Sequence, residues 1–206
     1  MKSQISNIGC FLSVAAFLTI AACSNELVDT VPLDPQTHYF EETGYTVSDD
    51  FLYFFEQYGG VDSLGQPISD VMIVSGWQVQ YFENGRLEYH PENEPAYRIT
   101  VGWLGELLNR RQPPIPPDQI PGSNQVDSRY FSETGHTLSG DFLNYYEKQG
   151  GSVRFGLPIS ESFFLNGYLV QDFQSARFFW VPDQHPRVRL ENIGDVHLQE
   201  IGLSLK

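Results

Sequence analysis

From Tyr39 onward the polar and apolar positions change period in a fixed order, and that order occurs twice. A short turn around Thr43-Gly44 leads into DDFLYFFEQY, where Phe51, Leu52 and Phe55 fall on one helical stripe. Ser48 stands at the expected N-cap and Asp50 in the first turn, where the helix dipole favours a negative charge. Gly59-Gly60 supplies the left-handed residue that stops such a helix. After the turn LGQPIS the period becomes two. GWQVQYFENGRLEYHPE predicts strands over Trp77–Glu83 and Arg86–His90, with Asn84-Gly85 as the two-residue turn. AYRITVGW predicts a third strand, and LGELLNR a short amphipathic tail. The second passage runs through the turn at Thr134-Gly135 and the cap Ser139, then Asp141 and a stripe of Phe142, Leu143 and Tyr146. Gly150-Gly151, FGLPIS, a second strand pair, RVRLENIG and VHLQEIGL follow.

Tyr39–Arg98 aligns on Tyr130–Arg189 without a gap, and about 25 of 60 positions are identical, far above chance. One extra residue is needed to bring Gly194 onto Gly102. The expectation is therefore an α+β chain of two homologous units. Each is a short helix followed by a small antiparallel sheet made of a hairpin plus a third strand. One such unit has a marginal core, so packing of the two on each other is favoured. The spacer between them would also permit independent beads. The expected boundaries are residues 1–22, 23–38, 39–108, 109–127 and 128–206. They are respectively a leader, a polar tether, the first unit, a linker and the second unit. The linker centre, RRQPPIPPDQIPGSNQ, holds five prolines, which forbids helix and favours an extended, semi-rigid spacer.

The beginning of the chain speaks about location. An apolar run from Ile8 to Ala22 follows Lys2 and is shorter than the roughly 20 residues of a spanning helix, which suits a secretory signal. It ends Ile20-Ala21-Ala22-Cys23, which resembles the lipobox of bacterial lipoproteins. That resemblance implies lipidation of Cys23 and an exported protein anchored to the cell membrane or outer membrane, facing away from the cytoplasm. The other cysteine, Cys10, lies in the leader. An acylated Cys23 would then leave no thiol for a disulfide, a metal or a nucleophile.

Charge narrows the partners. There are 26 acidic against 12 basic residues and a formal net charge of −14. Nucleic acid and anionic lipid headgroups need the opposite balance. No cofactor-binding loop is present, nor a serine-nucleophile elbow, a zinc-binding helix motif or a calcium loop. Glu88 and His90 lie two apart on a predicted strand and share a face, so acid–base or metal chemistry is conceivable there. The second unit has Phe179 and Val181 at those positions, and a solvated strand face is the plainer expectation. The reading is of a protein with no catalytic residues, no metal and no cofactor. His136, which replaces Tyr45, is expected in a turn.

GGVDSLGQPIS…QVQYFENGRLEYHPE and GGSVRFGLPIS…LVQDFQSARFFWVP resemble the LGFP-type repeat of bacterial cell-wall-associated proteins. The likeness covers about half of each unit and is most specific at Gly65-Gln66-Pro67 and Gly156-Leu157-Pro158. It implies a surface protein that anchors to or senses the cell wall, and it brings no established ligand residues with it.

Expected ligand contacts follow from strand alternation. Gln80, Phe82, Leu87 and Tyr89 share one face and recur as Gln171, Phe173, Phe178 and Trp180, the mark of a core face. The opposite face carries Trp77, Val79, Tyr81, Glu88 and His90, and it has diverged between the units. Trp77, Tyr81, Glu88 and His90 are therefore the expected ligand-binding set, suited to stacking on sugar rings. Arg86 and Arg177 are expected to hold their own unit's fold by pairing with Glu42 and Glu133. The expected partners are the membrane, through the N-terminal lipid, and cell-wall polysaccharide or extracellular glycan. An envelope protein served by an accessory or scaffold subunit is the alternative, and a hydrolase the second. Replacing Cys23 with alanine should abolish palmitate labelling and leave an uncleaved or mislocalised precursor. Label that persists in Cys23→Ala would refute the anchor.

Overall fold

A computed structural model describes residues 36–122 and 126–203; the leader, Cys23 and most of the tether lie outside the described residues. The protein is mixed α+β, with small antiparallel sheets and short helices. A hairpin of β1 (Thr37–Phe40) and β2 (Tyr45–Ser48) opens the fold. Helices α1 (Asp49–Gln57) and α2 (Gly60–Leu64) follow. Next comes a four-stranded meander of β3 (Met72–Val74), β4 (Trp77–Phe82), β5 (Gly85–Tyr89) and β6 (Ile99–Val101), and then α3 (Leu104–Leu107). The same order returns as β7 (Ser128–Phe131), β8 (His136–Ser139), α4 (Gly140–Lys148) and α5 (Gly151–Phe155). It continues as β9 (Phe163–Leu165), β10 (Tyr168–Asp172), β11 (Arg177–Trp180), β12 (Val188–Leu190) and α6 (Ile193–Glu200).

The stripe of α1 buries Phe51, Leu52, Phe54 and Phe55 against the opening hairpin and against Phe82 and Leu87 of the sheet. Phe142 and Tyr146 of α4 do the same against Phe173 and Phe178. Ser48 and Ser139 hold the N-cap positions with extended backbones, but neither hydroxyl makes a capping bond. The next residue, Asp49 or Gly140, is left-handed instead, and its N–H bonds back to the start of the hairpin. Gln80 and Gln171 fasten hairpin to sheet. Gln80 Nε2 donates to the Thr46 and Ser69 carbonyls at 2.9 and 3.0 Å, and Gln171 Nε2 to those of Thr137 and Ser160 at 2.7 and 2.8 Å. A buried amide thus satisfies backbone groups that would otherwise be orphaned.

Three features differ from the sequence reading. Each sheet has a fourth strand, β3 or β9, joined by the turns Ser75-Gly76 and Asn166-Gly167, whose residues all have positive φ. In the central hairpin Phe82 pairs with Gly85, so the turn residues are Glu83 and Asn84 rather than Asn84 and Gly85. The N–H groups of Glu83 and Asn84 donate to Gln66 O and Leu64 O, which sets this register. The shift spans two positions and so preserves which residues share a face. Finally, Gly194 matches Gly105, not Gly102. Leu104 N–H donates to Gly102 O just as Ile193 N–H donates to Glu191 O.

The two halves pack on one another. Each half's last helix docks its glycine on the hairpin turn of the other half. Gly105 N–H donates to Gln174 O at 2.8 Å, and Gly194 N–H donates to Glu83 O at 3.0 Å. Around this contact Ile68, Val79, Tyr81, Leu104, Ile193 and Leu198 form a third core to which both halves contribute. Arg154 of α5 crosses into the first half. It is fully buried, with Nε donating to Ser63 Oγ and Nη2 to Ser63 O and Asn84 O, each at 3.0 Å. Burial lowers its guanidinium pKa to about 10.

The proline segment is bound rather than free. Gln112 N–H donates to Ile159 O at 2.8 Å and Ile115 N–H to Gly135 O at 3.0 Å. His136 lies in β8, fully buried, and not in a turn. Its Nδ1 meets Glu161 and its Nε2 meets Gln112 O, both at 3.2 Å. Burial works to raise the Glu161 carboxyl, but hydrogen bonds from His136 and Thr137 outweigh it and hold the group below the usual carboxylate range.

A Cβ on Gly194 would overlap the Phe82 carbonyl oxygen, and one on Gly105 that of Phe173. Gly194→Ala and Gly105→Ala should each lose roughly 1 to 3 kcal/mol of unfolding free energy in a denaturant titration. Gly122→Ala, at a position open to solvent, should be nearly neutral. Equal stabilities for all three variants would rule out the close backbone approach.

Candidate functional site

On β4 and β5 the residues Trp77, Val79, Tyr81, Arg86 and Glu88 point to the face opposite α1, because side chains alternate along a strand. Helix α6 covers the inner part of that face. The outer part opens into a groove of about 720 Å3, walled by Trp77, Glu88, His90, Trp103, His197 and Ile201. Trp77 is 38 % exposed and Trp103 55 %. Trp77 leans on His90, with ring centroids 4.3 Å apart and planes at 39°.

A continuous polar chain runs along the floor. His90 Nδ1 meets Glu92 at 3.1 Å and His90 Nε2 meets Glu88 at 3.3 Å. Glu88 Oε1 accepts from Arg86 through both Nε and Nη2. Arg86 Nη1 donates to the Tyr81 hydroxyl at 3.0 Å, and that hydroxyl lies 2.9 Å from His197 Nδ1. A guanidinium can only donate, so the Tyr81 oxygen accepts from Arg86, and its hydroxyl shares a second hydrogen bond with His197 Nδ1. Burial, and next the Arg86 charge, push the His197 pKa below its ordinary value. Burial raises the Tyr81 phenol despite Arg86. Burial works to lower the Arg86 pKa, and the bonds to Tyr81 and Glu88 outweigh it, leaving it raised.

Three of the four residues expected to meet a ligand, Trp77, Glu88 and His90, stand together in the groove. Tyr81 does not. It is fully buried beneath α6, so the expectation of an exposed Tyr81 is corrected. The expected arginine partners are corrected too. Arg86 pairs with Glu88, and Arg177 pairs with Asp172 at 2.6 Å and Glu191 at 3.5 Å. Glu42 accepts instead from Gln66 Nε2 at 3.0 Å, and Glu133 from Ser132 Oγ at 3.2 Å. Leu87 points to α1 and the opening hairpin, so Arg86, its neighbour on the strand, must point away from both.

The sequence reading missed Trp103 and His197. Trp103 follows the strand end at Gly102, where a Cβ would overlap the Glu88 carboxylate. His197 arrives from α6, and nothing local to the first half signals it. Among the described residues no group of three or more His, Cys, Asp or Glu is placed to hold a metal. Both Glu88 oxygens are engaged by Arg86 and His90. The groove can offer flat aromatic faces with donors and acceptors between them. No family model matches the chain, and no curated protein matches it either. The LGFP-type likeness rests on the quoted motifs alone.

His197 gives a pH dependence. Its folded pKa is depressed, so between the ordinary value of 6.5 and the lowered one the unfolded chain binds more protons. The stability it supports is complete above about pH 6.5 and is lost as pH falls through the folded pKa. The unfolding free energy should decline as pH falls below about 6.5, and His197→Gln should flatten part of that slope. Identical slopes in the two proteins would remove His197 as the cause.

Proposed function

We propose that this chain is a non-catalytic lipoprotein of the bacterial cell envelope, built from a duplicated LGFP-like module, that binds cell-wall or extracellular glycan in the groove of its first half. The observation that carries this reading is the pair of half-exposed tryptophans, Trp77 and Trp103, facing one groove with a polar floor. Pyranose rings present apolar faces edged by hydroxyls. They are held by flat aromatics beside side chains that both donate and accept. Position by position, the second half supports the assignment. Asn192, Phe179 and Val181 stand where the first half has Trp103, Glu88 and His90, in elements of the same order. The fold does not require the groove residues. The acidic net charge is consistent with an uncharged or amino sugar rather than an anionic polymer.

The duplication is supported by the aligned sequence and by the recurrence of nine elements in one order. Lipidation at Cys23 rests on the lipobox likeness. No helix among the described residues is long and apolar enough to cross a membrane.

The alternative is an accessory subunit that binds an envelope protein. It is favoured by Ile73 and Phe164, 65 % and 76 % exposed at matching places on the edge strands β3 and β9. Edge strands with exposed apolar side chains are surfaces for strand addition.

Cosedimentation of the full chain with purified sacculi tests the first reading. Trp77→Ala combined with Trp103→Ala should abolish it while leaving thermal unfolding unchanged within a few degrees, since neither ring is in the core. Undiminished cosedimentation of the double variant would move the site elsewhere. If only Ile73→Lys and Phe164→Lys lost an envelope partner in a detergent pull-down, the alternative would prevail.

A further inference from the structure

The connection between β5 and β6, residues 90–98, has a hollow on either side. Asn93 lines the tryptophan groove, while Pro95, Ala96 and Tyr97 line a second hollow of about 520 Å3 against α1. Tyr53 of α1 and Tyr97 of the loop stand at that hollow, 69 % and 67 % exposed. The Phe54 and Tyr58 rings, stacked at 4.3 Å, line it as well, and Asp50 and Gln57 supply polar groups.

The matching place in the second half is also hollow, about 360 Å3 between α4 and the loop before β12. Helices α1 and α4 have equal length, and Asn144 occupies the position of Tyr53. Pro186 occupies that of Tyr97, because the connection before β12 is two residues shorter than that before β6 and the ungapped alignment ends there. The same architecture therefore forms without either tyrosine, so packing does not explain two large exposed rings in the first half. The charges differ as well. An acid is common to both, Asp50 in one and Asp141 in the other, but Lys148, His185 and Arg187 also line the second hollow, whereas the tyrosine hollow has no basic residue.

We propose that the tyrosine hollow is a second sugar subsite, and that one uncharged linear glycan crosses the 90–98 loop from the tryptophan groove to the tyrosines. The inference rests on the glycan reading of the tryptophan groove and extends it. Exposed aromatic rings with a carboxylate and an amide between them match the alternating apolar faces and hydroxyl edges of a saccharide. The absence of cationic side chains from this hollow selects against an anionic polymer. One ligand touching two sites on a rigid support gains from the high effective concentration of its second half, so chain length should matter more than composition.

The test uses the full chain and two uncharged probes, strands of β-1,4-linked N-acetylglucosamine and the disaccharide of the same sugar, with binding measured calorimetrically. Strands should bind the wild type more tightly than the disaccharide does. Tyr53→Asn with Tyr97→Ala should weaken strand binding roughly tenfold, from the loss of two ring contacts. Disaccharide binding and thermal unfolding should stay unchanged. Strand binding indifferent to the tyrosines but lost in Trp77→Ala with Trp103→Ala would overturn the second subsite and leave the first reading standing. An equal loss for both probes would place the tyrosines in a single site and overturn the crossing path. A wild type that binds neither probe would refute the glycan reading and this inference with it.

Discussion

Two backbone contacts hold the two halves of this protein in register. At each, a glycine at the start of a closing helix lies directly on the hairpin turn of the other half, and its N–H donates to a turn carbonyl. The absence of a side chain brings backbone to backbone, and the neighbouring Leu104 and Ile193 then reach full burial. Each half supplies one helix and receives the other, so neither can leave without exposing part of the third core. A sheet face that a single unit would present to water is buried by a helix from elsewhere in the chain, which addresses the marginal core expected of one unit alone. Arg154 adds a cross-connection that spends a buried cation on three acceptors, Ser63 Oγ, Ser63 O and Asn84 O. Its Nη1 finds no acceptor, so part of the cost of burying this cation goes unmet.

The groove is a consequence of that docking. Helix α6 is too short to cover the whole outer face of β4 and β5. It seals Val79 and Tyr81 and stops at His197 and Ile201, which become one wall. Trp77, at the start of β4, lies beyond its reach. Trp103 is carried by the link into α3, the other docking helix, so both tryptophans are placed by elements whose positions the interface sets. The groove walls are thus held by the same contacts that make the fold.

What the sequence disclosed was mostly local. The helical stripes, the meander strands and the partition of β4 and β5 into two faces follow from periodicity, and they survive even a wrong turn because a shift of two positions preserves the faces. Strands β3 and β9 are three residues long, too short to show alternation, although Asn166-Gly167 carries the composition of a tight hairpin turn. The burial of Tyr81 was not legible, because what covers it is more than a hundred residues away. Divergence between the two halves suggested a free surface there. In fact it marks two different solutions to one buried interface. Arg86 and Arg177 were rightly paired with carboxylates of their own half. The partners were not foreseeable, since Glu88 and Asp172 have no acidic counterpart in the other half, where Phe179 and Tyr81 stand.

Those two solutions explain why the groove of the first half has an ionic floor. Arg177 and Arg86 occupy matching positions facing the interface, and each needs a counter-charge. In the second half Asp172, almost fully buried, supplies it directly, with Glu191 and Arg110 completing the cluster. The charge is balanced inside, and the outer strand positions are free to be apolar as Phe179 and Val181. In the first half the position of Asp172 is held by Tyr81, a neutral phenol that accepts a hydrogen bond from Arg86 and shares another with His197 but brings no counter-charge. The counter-charge must then come from Glu88, two residues along the strand and nearer the rim, and His90 and Glu92 continue the chain outward. Exchanging one buried carboxylate for a phenol moves the ionic cluster from the interface to the edge of the sheet. There it meets the two tryptophans that wall the groove.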